Sequence, residues 1–191
     1  MFIQTEQTPN PQTLKFLPGK VVMEVGTAFF QSIEKTSNSP LAKKLFDVDG
    51  VTGVFFGSDF ITITKVASID WQVLKPMIFS EIMNHYNSGD KTLIKEVHKS
   101  DDKDSNALEF NEEDRDIVKQ IKELLDTRVR PAVAMDGGDI VYQGFEKGIV
   151  YLHMQGACSG CPSSTATLKM GIENMLKHYV PEVKEVRPID V

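Results

Sequence analysis

Gly156-Ala157-Cys158-Ser159-Gly160-Cys161-Pro162-Ser163-Ser164 holds the only two cysteines of the chain, with two residues between them. A C-x-x-C spacing lets two sulfurs converge on one ion or one cluster edge, or close into a small disulfide loop. Gly156 and Gly160 let the backbone turn tightly around the sulfurs without a Cβ clash. Pro162 suits the first turn of a helix, and Ser163 or Ser164 offers a hydroxyl to its free N–H groups. Thiols at a helix N-terminus lie at the positive end of its dipole. That position lowers their pKa and favours the thiolate, the form that binds metal or attacks a disulfide. The stretch reads as strand, cysteine turn, helix.

Upstream of it, Asn111 is the expected cap of a helix with an acidic first turn, Glu112, Glu113 and Asp114. Ile117, Ile121, Leu124 and Leu125 form its apolar stripe, Arg128 and Arg130 lie near its C-terminal end, and Pro131 is expected to stop it. Asp136-Gly137-Gly138-Asp139 reads as a tight turn whose glycines can take positive φ where a strand begins. Strands follow over 140–145 and 148–154. On the second, Val150, Leu152 and Met154 share the core face, and Tyr151, His153 and Gln155 share the other. His153 is therefore expected at the sheet surface rather than as a third ligand. After the cysteine turn, Leu168, Ile172, Met175, Leu176 and Tyr179 keep helical core spacing, Pro181 ends the helix, and residues 183–186 form a last strand. The predicted order is α-β-β-α-β.

Residues 1–98 read as a separate unit. Residues 2–4 and 13–16 are short strands around the turn-rich Thr8-Pro9-Asn10-Pro11, with further short strands at 21–25 and 28–30. Ser39 caps a helix over 40–46 with Pro40 at its first position. The clearest hairpin runs from Gly50 to Lys65 through a Ser58-Asp59 turn, its second arm alternating Ile61 and Ile63 with Thr62 and Thr64. From Asp70 a helix carries Trp71, Leu74, Ile78, Ile82 and His85 or Tyr86 inward, with Pro76 as a kink or a late start. Residues 99–107 include a charged, small-residue run with no apolar position, a flexible linker by composition. The expected fold class is α+β: two small α+β domains, 1–98 and 108–191, joined by that linker.

Net charge is −6, the hydrophobic fraction 41% and the charged fraction 25%, ordinary for a globular chain and without a basic run. Nucleic-acid binding is a poor fit, and no apolar run approaches the roughly eighteen residues of a membrane span. Two cysteines make no secreted disulfide framework. The first residues carry no basic or Arg-rich presequence, so the chain is expected to start inside its first domain. A bacterial cytoplasm is the expected location, ahead of a mature organellar form.

Ligand arithmetic narrows the chemistry of the cysteines. A structural zinc site or a cubane iron–sulfur cluster takes about four protein ligands, while one chain supplies two cysteines and four scattered histidines. Two chains, each contributing Cys158 and Cys161, reach four thiolates. A cluster so held is released when the chains part, which favours a carrier over a fixed redox centre. Three other readings stand beside this one. A thioredoxin-type dithiol also places C-x-x-C before a helix, but Ala157 replaces the usual aromatic. Zinc accepts the same sulfur ligands. Cysteines serving only as packing fit poorly with glycine and serine neighbours.

The second half resembles the NifU C-terminal domain of Nfu-type iron–sulfur cluster scaffold proteins. The resemblance is carried by Arg130-Pro131, Met135-Asp136-Gly137-Gly138-Asp139, the run from Gly156 to Thr165, Thr167-Leu168-Lys169 and Gly171-Ile172-Glu173. The first half resembles the Nfu N-terminal domain through Ile3-Gln4-Thr5-Glu6, Thr8-Pro9-Asn10-Pro11 and residues 14–19. The resemblance implies a non-catalytic scaffold or carrier that binds a [4Fe–4S] cluster across a homodimer. Cys158 and Cys161 are the implied ligands, upstream assembly proteins the implied donors, and client apo-proteins the implied acceptors. The first domain is then expected to contribute client or donor recognition.

Overall fold

The alternation read along the hairpin builds the middle of the first unit. Strand β4 (Val51–Phe56) pairs antiparallel with β5 (Ile61–Lys65), Val54 facing Ile63 and Phe56 facing Ile61. The computed structural model describes residues 2–93, 114–160 and 162–189, and the chain divides into two units, Met1–Asp101 and Asp102–Val191. In the first, β1 (Gln4–Gln7), β2 (Thr13–Leu17) and β3 (Ala28–Phe30) complete an antiparallel sheet of order β1-β2-β5-β4-β3. The strand expected at 21–25 is absent. Val22 and Met23 both donate their N–H to the Ser58 carbonyl, at 2.8 and 3.2 Å, which pins this segment to the β4–β5 turn.

Helix α1 (Pro40–Phe46) begins where its cap predicts: Ser39 Oγ accepts from the Ala42 N–H at 3.1 Å, and Pro40 occupies the first turn. Helix α2 (Trp71–Ser88) starts at Asp70, whose carboxylate accepts from the Gln72 N–H at 2.8 Å, and ends at Gly89 in the left-handed region. Pro76 lies inside α2 on its exposed side, where solvent can satisfy the carbonyl it leaves without a donor. Leu41, Leu45, Leu74, Ile78 and Ile82 are fully buried against Leu14, Phe16, Ile61 and Ile63. Each such side chain contributes roughly 1.5–3 kcal/mol of apolar burial.

The second unit has the expected α-β-β-α-β order. Pro131 does not stop the first helix. Helix α3 (Arg115–Leu124) runs through a π turn (Leu125–Val129) into α4 (Arg130–Met135), and Pro131 sits in the first turn of α4. The Arg130 N–H bonds to the Leu125 carbonyl five residues back, so the chain widens by one residue instead of breaking. Strands β6 (Gly138–Glu146) and β7 (Ile149–Gly156) pair antiparallel, with a register shift between Tyr142 and Gly144. Helix α5 (Pro162–Tyr179) then crosses to β8 (Glu185–Pro188), which lies parallel to β7. Val150, Leu152 and Met154 pack with Ile121, Leu125, Ile172, Leu176 and Val186. His153, expected at the surface, is buried. The chain after β8 stays beside β7, with Ile189 donating to the Leu152 carbonyl and its own carbonyl 3.2 Å from His153 Nδ1. The cap expected at Asn111 and the linker at 99–107 lie outside the described residues. Among the described residues, no helix is long and apolar enough to cross a membrane.

His85 on α2 is 0% exposed, and neither ring nitrogen has a partner among the described residues. Burial pushes its pKa below the ordinary 6.5, Lys44 acts in the same direction, and Asp90 opposes. The native ring thus stays neutral where the unfolded chain takes up a proton. Stability is full above the unfolded value and falls as pH drops below it. Urea denaturation of the first unit should show its midpoint declining below about pH 6.5, and His85→Leu should flatten that decline; an unchanged slope in the variant would assign it to carboxylates instead.

Candidate functional site

Cys158 stands just past the C-terminal end of β7, in a turn tied down from three sides. The Ala157 N–H donates to the Gly137 carbonyl at 3.2 Å, and the Cys158 N–H to the Gln155 carbonyl at 3.3 Å. Ser159 donates to the Gly156 carbonyl through both its N–H, at 3.1 Å, and its hydroxyl, at 2.9 Å. From α5, Thr165 Oγ1 donates to the Cys158 carbonyl at 3.1 Å. Gly156 and Gly160 take φ of 61° and 82°, the left-handed region their place in the sequence foretells. Cys161 lies outside the described residues. His153 is not brought to Cys158; it faces the segment after β8.

The turn rests on Asp136-Gly137-Gly138-Asp139, and its two glycines do different work. Gly137 has φ of 84° and donates to the Ala134 carbonyl at 3.1 Å, closing α4. Gly138 needs no special φ. It opens β6 opposite Gly156, and a Cβ built there would lie 2.5 Å from Cys158 Sγ and 2.7 Å from the Gln155 carbonyl oxygen. The space above Gly138 is the space the thiol occupies.

Asp139 is 3% exposed, a burial that its place in an acid-and-glycine turn does not foretell. Its carboxylate takes a two-pronged grip from Arg130, Nε to Oδ1 at 2.9 Å and Nη2 to Oδ2 at 2.8 Å, and accepts from the Ile140 N–H at 2.8 Å. Arg130 also reaches Asp126 at 3.0 Å, and Asp139 above all holds its pKa up. The signal in the sequence was the acid-rich turn combined with an arginine one helix-length earlier, but nothing in the spacing shows that the two meet.

Cys158 is 6% exposed and belongs to the core of the unit. Its thiol is pushed up to about 12, first by burial, then by the Asp136 and Asp139 carboxylates. This reverses the expectation of a thiolate favoured by the helix terminus. With the protein in this state the thiol is protonated at neutral pH. Among the described residues no group of three or more His, Cys, Asp or Glu side chains is placed to hold a metal ion.

Two measurements follow from this geometry. In a Cys161→Ser chain, alkylation of Cys158 by iodoacetamide near neutral pH should run on the order of a hundredfold slower than that of an unstructured cysteine, and accelerate steadily above about pH 9. Gly138→Ala should destabilise the second unit by about 1–3 kcal/mol, read as a drop in its melting temperature, and the penalty should shrink in a Cys158→Ala background, where the sulfur no longer competes for the space.

Residues 3–89 match the family model described as the scaffold protein Nfu/NifU N terminal, and residues 121–187 match the NifU-like domain. The chain is 56% identical over 188 residues to NifU-like protein 4, mitochondrial, of Arabidopsis thaliana, covering 97% of this chain and 65% of that protein. It is 52% identical over 190 residues to the NFU1 iron-sulfur cluster scaffold homolog, mitochondrial, of Homo sapiens, covering 99% of this chain and 72% of that protein. A solution structure of a NifU-like protein from Saccharomyces cerevisiae is 27% identical, with a TM-score of 0.46 over 50% of this chain and 87% of that one. The chain thus spans about two thirds of the length of the curated relatives it matches. The expected bacterial cytoplasm is overturned by these relatives: at 51–56% identity over nearly the whole chain they carry mitochondrial names, which point to an organellar form. Two family models in the expected order, and relatives alike over both halves, establish that the chain belongs to the Nfu-type, NifU-like family of iron–sulfur cluster scaffold proteins.

Proposed function

We propose that this chain takes up a [4Fe–4S] cluster as cargo between two protomers, each giving Cys158 and Cys161, and passes it to client apo-proteins without itself catalysing a reaction. The observation that carries the reading is the turn that seats Cys158, cleared of side chains by Gly138 and braced by β6, β7 and α5. It joins a sequence with two cysteines per chain, so that a second copy completes the four thiolates of a cubane. Cluster-scaffold relatives alike over both halves support the same class of function. We assign the cluster to residues 108–191 and recognition of donors or clients to residues 1–98, with residues 99–107 as the link.

The buried thiol fits a transient carrier. Binding iron requires a thiolate, so loading must expel the proton that burial and two carboxylates hold on Cys158. Unloading reverses the exchange, and the emptied sulfur returns to a protected, unreactive state. Dithiol exchange of the thioredoxin kind draws no support from this seat, because it depends on an accessible, low-pKa sulfur.

Anaerobic reconstitution should give about four iron and four sulfide per pair of protomers, lost together with the dimer on chelation. Cys158→Ser and Cys161→Ser should each abolish the cluster while both units stay folded by circular dichroism. A single variant that keeps full iron and sulfide would remove that residue from the ligand set, and zinc without sulfide would replace the carrier reading with a structural metal.

A further inference from the structure

The first unit carries a surface groove of about 550 Å³, lined by α2 and by the connection after α1, that contains none of the cysteine-turn residues. Its floor is apolar, formed by Val48, Ile69 and Leu74. Val73 and Met77, one helical turn apart on α2, stand open to solvent beside it, 59% and 41% exposed. One further turn along the same face comes Glu81, and the connection after α1 supplies Asp47 and Asp49. No lysine or arginine lines the groove, and none of these three carboxylates enters an ion pair or side-chain hydrogen bond among the described residues. An apolar stripe ringed by three unanswered negative charges is complementary to one kind of surface.

We infer that this groove docks a short amphipathic helix of a partner protein, its apolar side chains set between Val73 and Met77 and its lysines or arginines against Asp47, Asp49 and Glu81. The span from Val73 to Glu81 is about 12 Å along the helix axis, enough to meet two to three turns of a bound helix. Met77, unbranched and adaptable, suits a surface that receives more than one sequence. A chain of net charge −6 repels anionic membranes, and apolar faces alone would explain neither the ring of acids nor the lack of basic residues, so a cationic protein helix is the occupant that charge and shape select. The inference rests on the reading of residues 1–98 as the recognition half, and it is independent of which metal the cysteines hold.

The test uses the full chain carrying Cys158→Ser and Cys161→Ser, labelled with nitrogen-15, so that cluster chemistry plays no part. The probe is a synthetic helix of about four turns with leucines along one face and lysines flanking them. Amide shifts should be confined to residues 47–49 and 69–81. Met77→Glu and Asp49→Lys should each weaken binding by about tenfold or more. Asp59→Lys, at the far end of the β4–β5 hairpin and equal in charge change, should leave it unaltered. The same peptide with glutamates for lysines should not bind. Shifts scattered over the surface, equal weakening by Asp59→Lys, or no saturable binding at millimolar peptide would each overturn the docking site, while leaving the cluster reading untouched.

Discussion

A carboxylate taken out of water must be answered in place, and the cysteine end of the second unit is arranged around the answer given to Asp139. The guanidinium of Arg130 arrives from the start of α4 and meets it with two parallel bonds. A planar fork tolerates little error in direction. Without the extra residue of the π turn, everything beyond it would rotate by about 100° around the helix axis, and Arg130 would point elsewhere. The turn also carries Pro131 to a place where its missing N–H costs nothing. With Asp139 held, the first residues of β6 are held, and Gly138 lies directly beneath the sulfur. Helix, ion pair, strand and thiol form one chain of dependence, although Arg130 is 40% exposed and the pair is correspondingly softer than a fully buried one.

Two physical effects compete at Cys158. A helix N-terminus favours an anion by roughly 0.3–1 kcal/mol at the surface. Withdrawing a charged group from water costs several kcal/mol, and Asp136 and Asp139 add repulsion. Burial wins by its size. The position of the cysteine before a helix was correctly legible, but the sign of its pKa shift depends on depth, and depth is a property of the assembled unit.

Much of the fold was legible for local reasons. Ser39 followed by Pro40, and Asp70 two residues before the N–H it caps, favour helix starts through contacts within a few residues. The alternation of Ile61 to Thr64 fixes which face turns inward, because a one-residue slip would invert it. What escaped the sequence was set by distant partners. Residues 21–25 have strand composition, yet the Ser58 carbonyl claims the N–H donors of Val22 and Met23. His153 falls on the outer face by parity, yet the segment after β8 covers it. Gly138 looked like a turn glycine, whereas its missing side chain is demanded by a sulfur twenty residues on. Spacing shows what a residue can do within its own element, but not what will be packed against it.

The parallel pairing of β7 with β8 has a temporal side. Antiparallel neighbours such as β6 and β7 can zip together as soon as both have been made, but β8 joins only after all of α5 has been laid across the sheet. Val186, which helps to close the core that holds Cys158, comes with that last strand. A chain emerging N-terminus first therefore leaves the Val150 edge of its sheet open until β8 follows. The seat of Cys158, built from β6, β7 and α5, is thus already made when the strand that closes the far end of the sheet arrives.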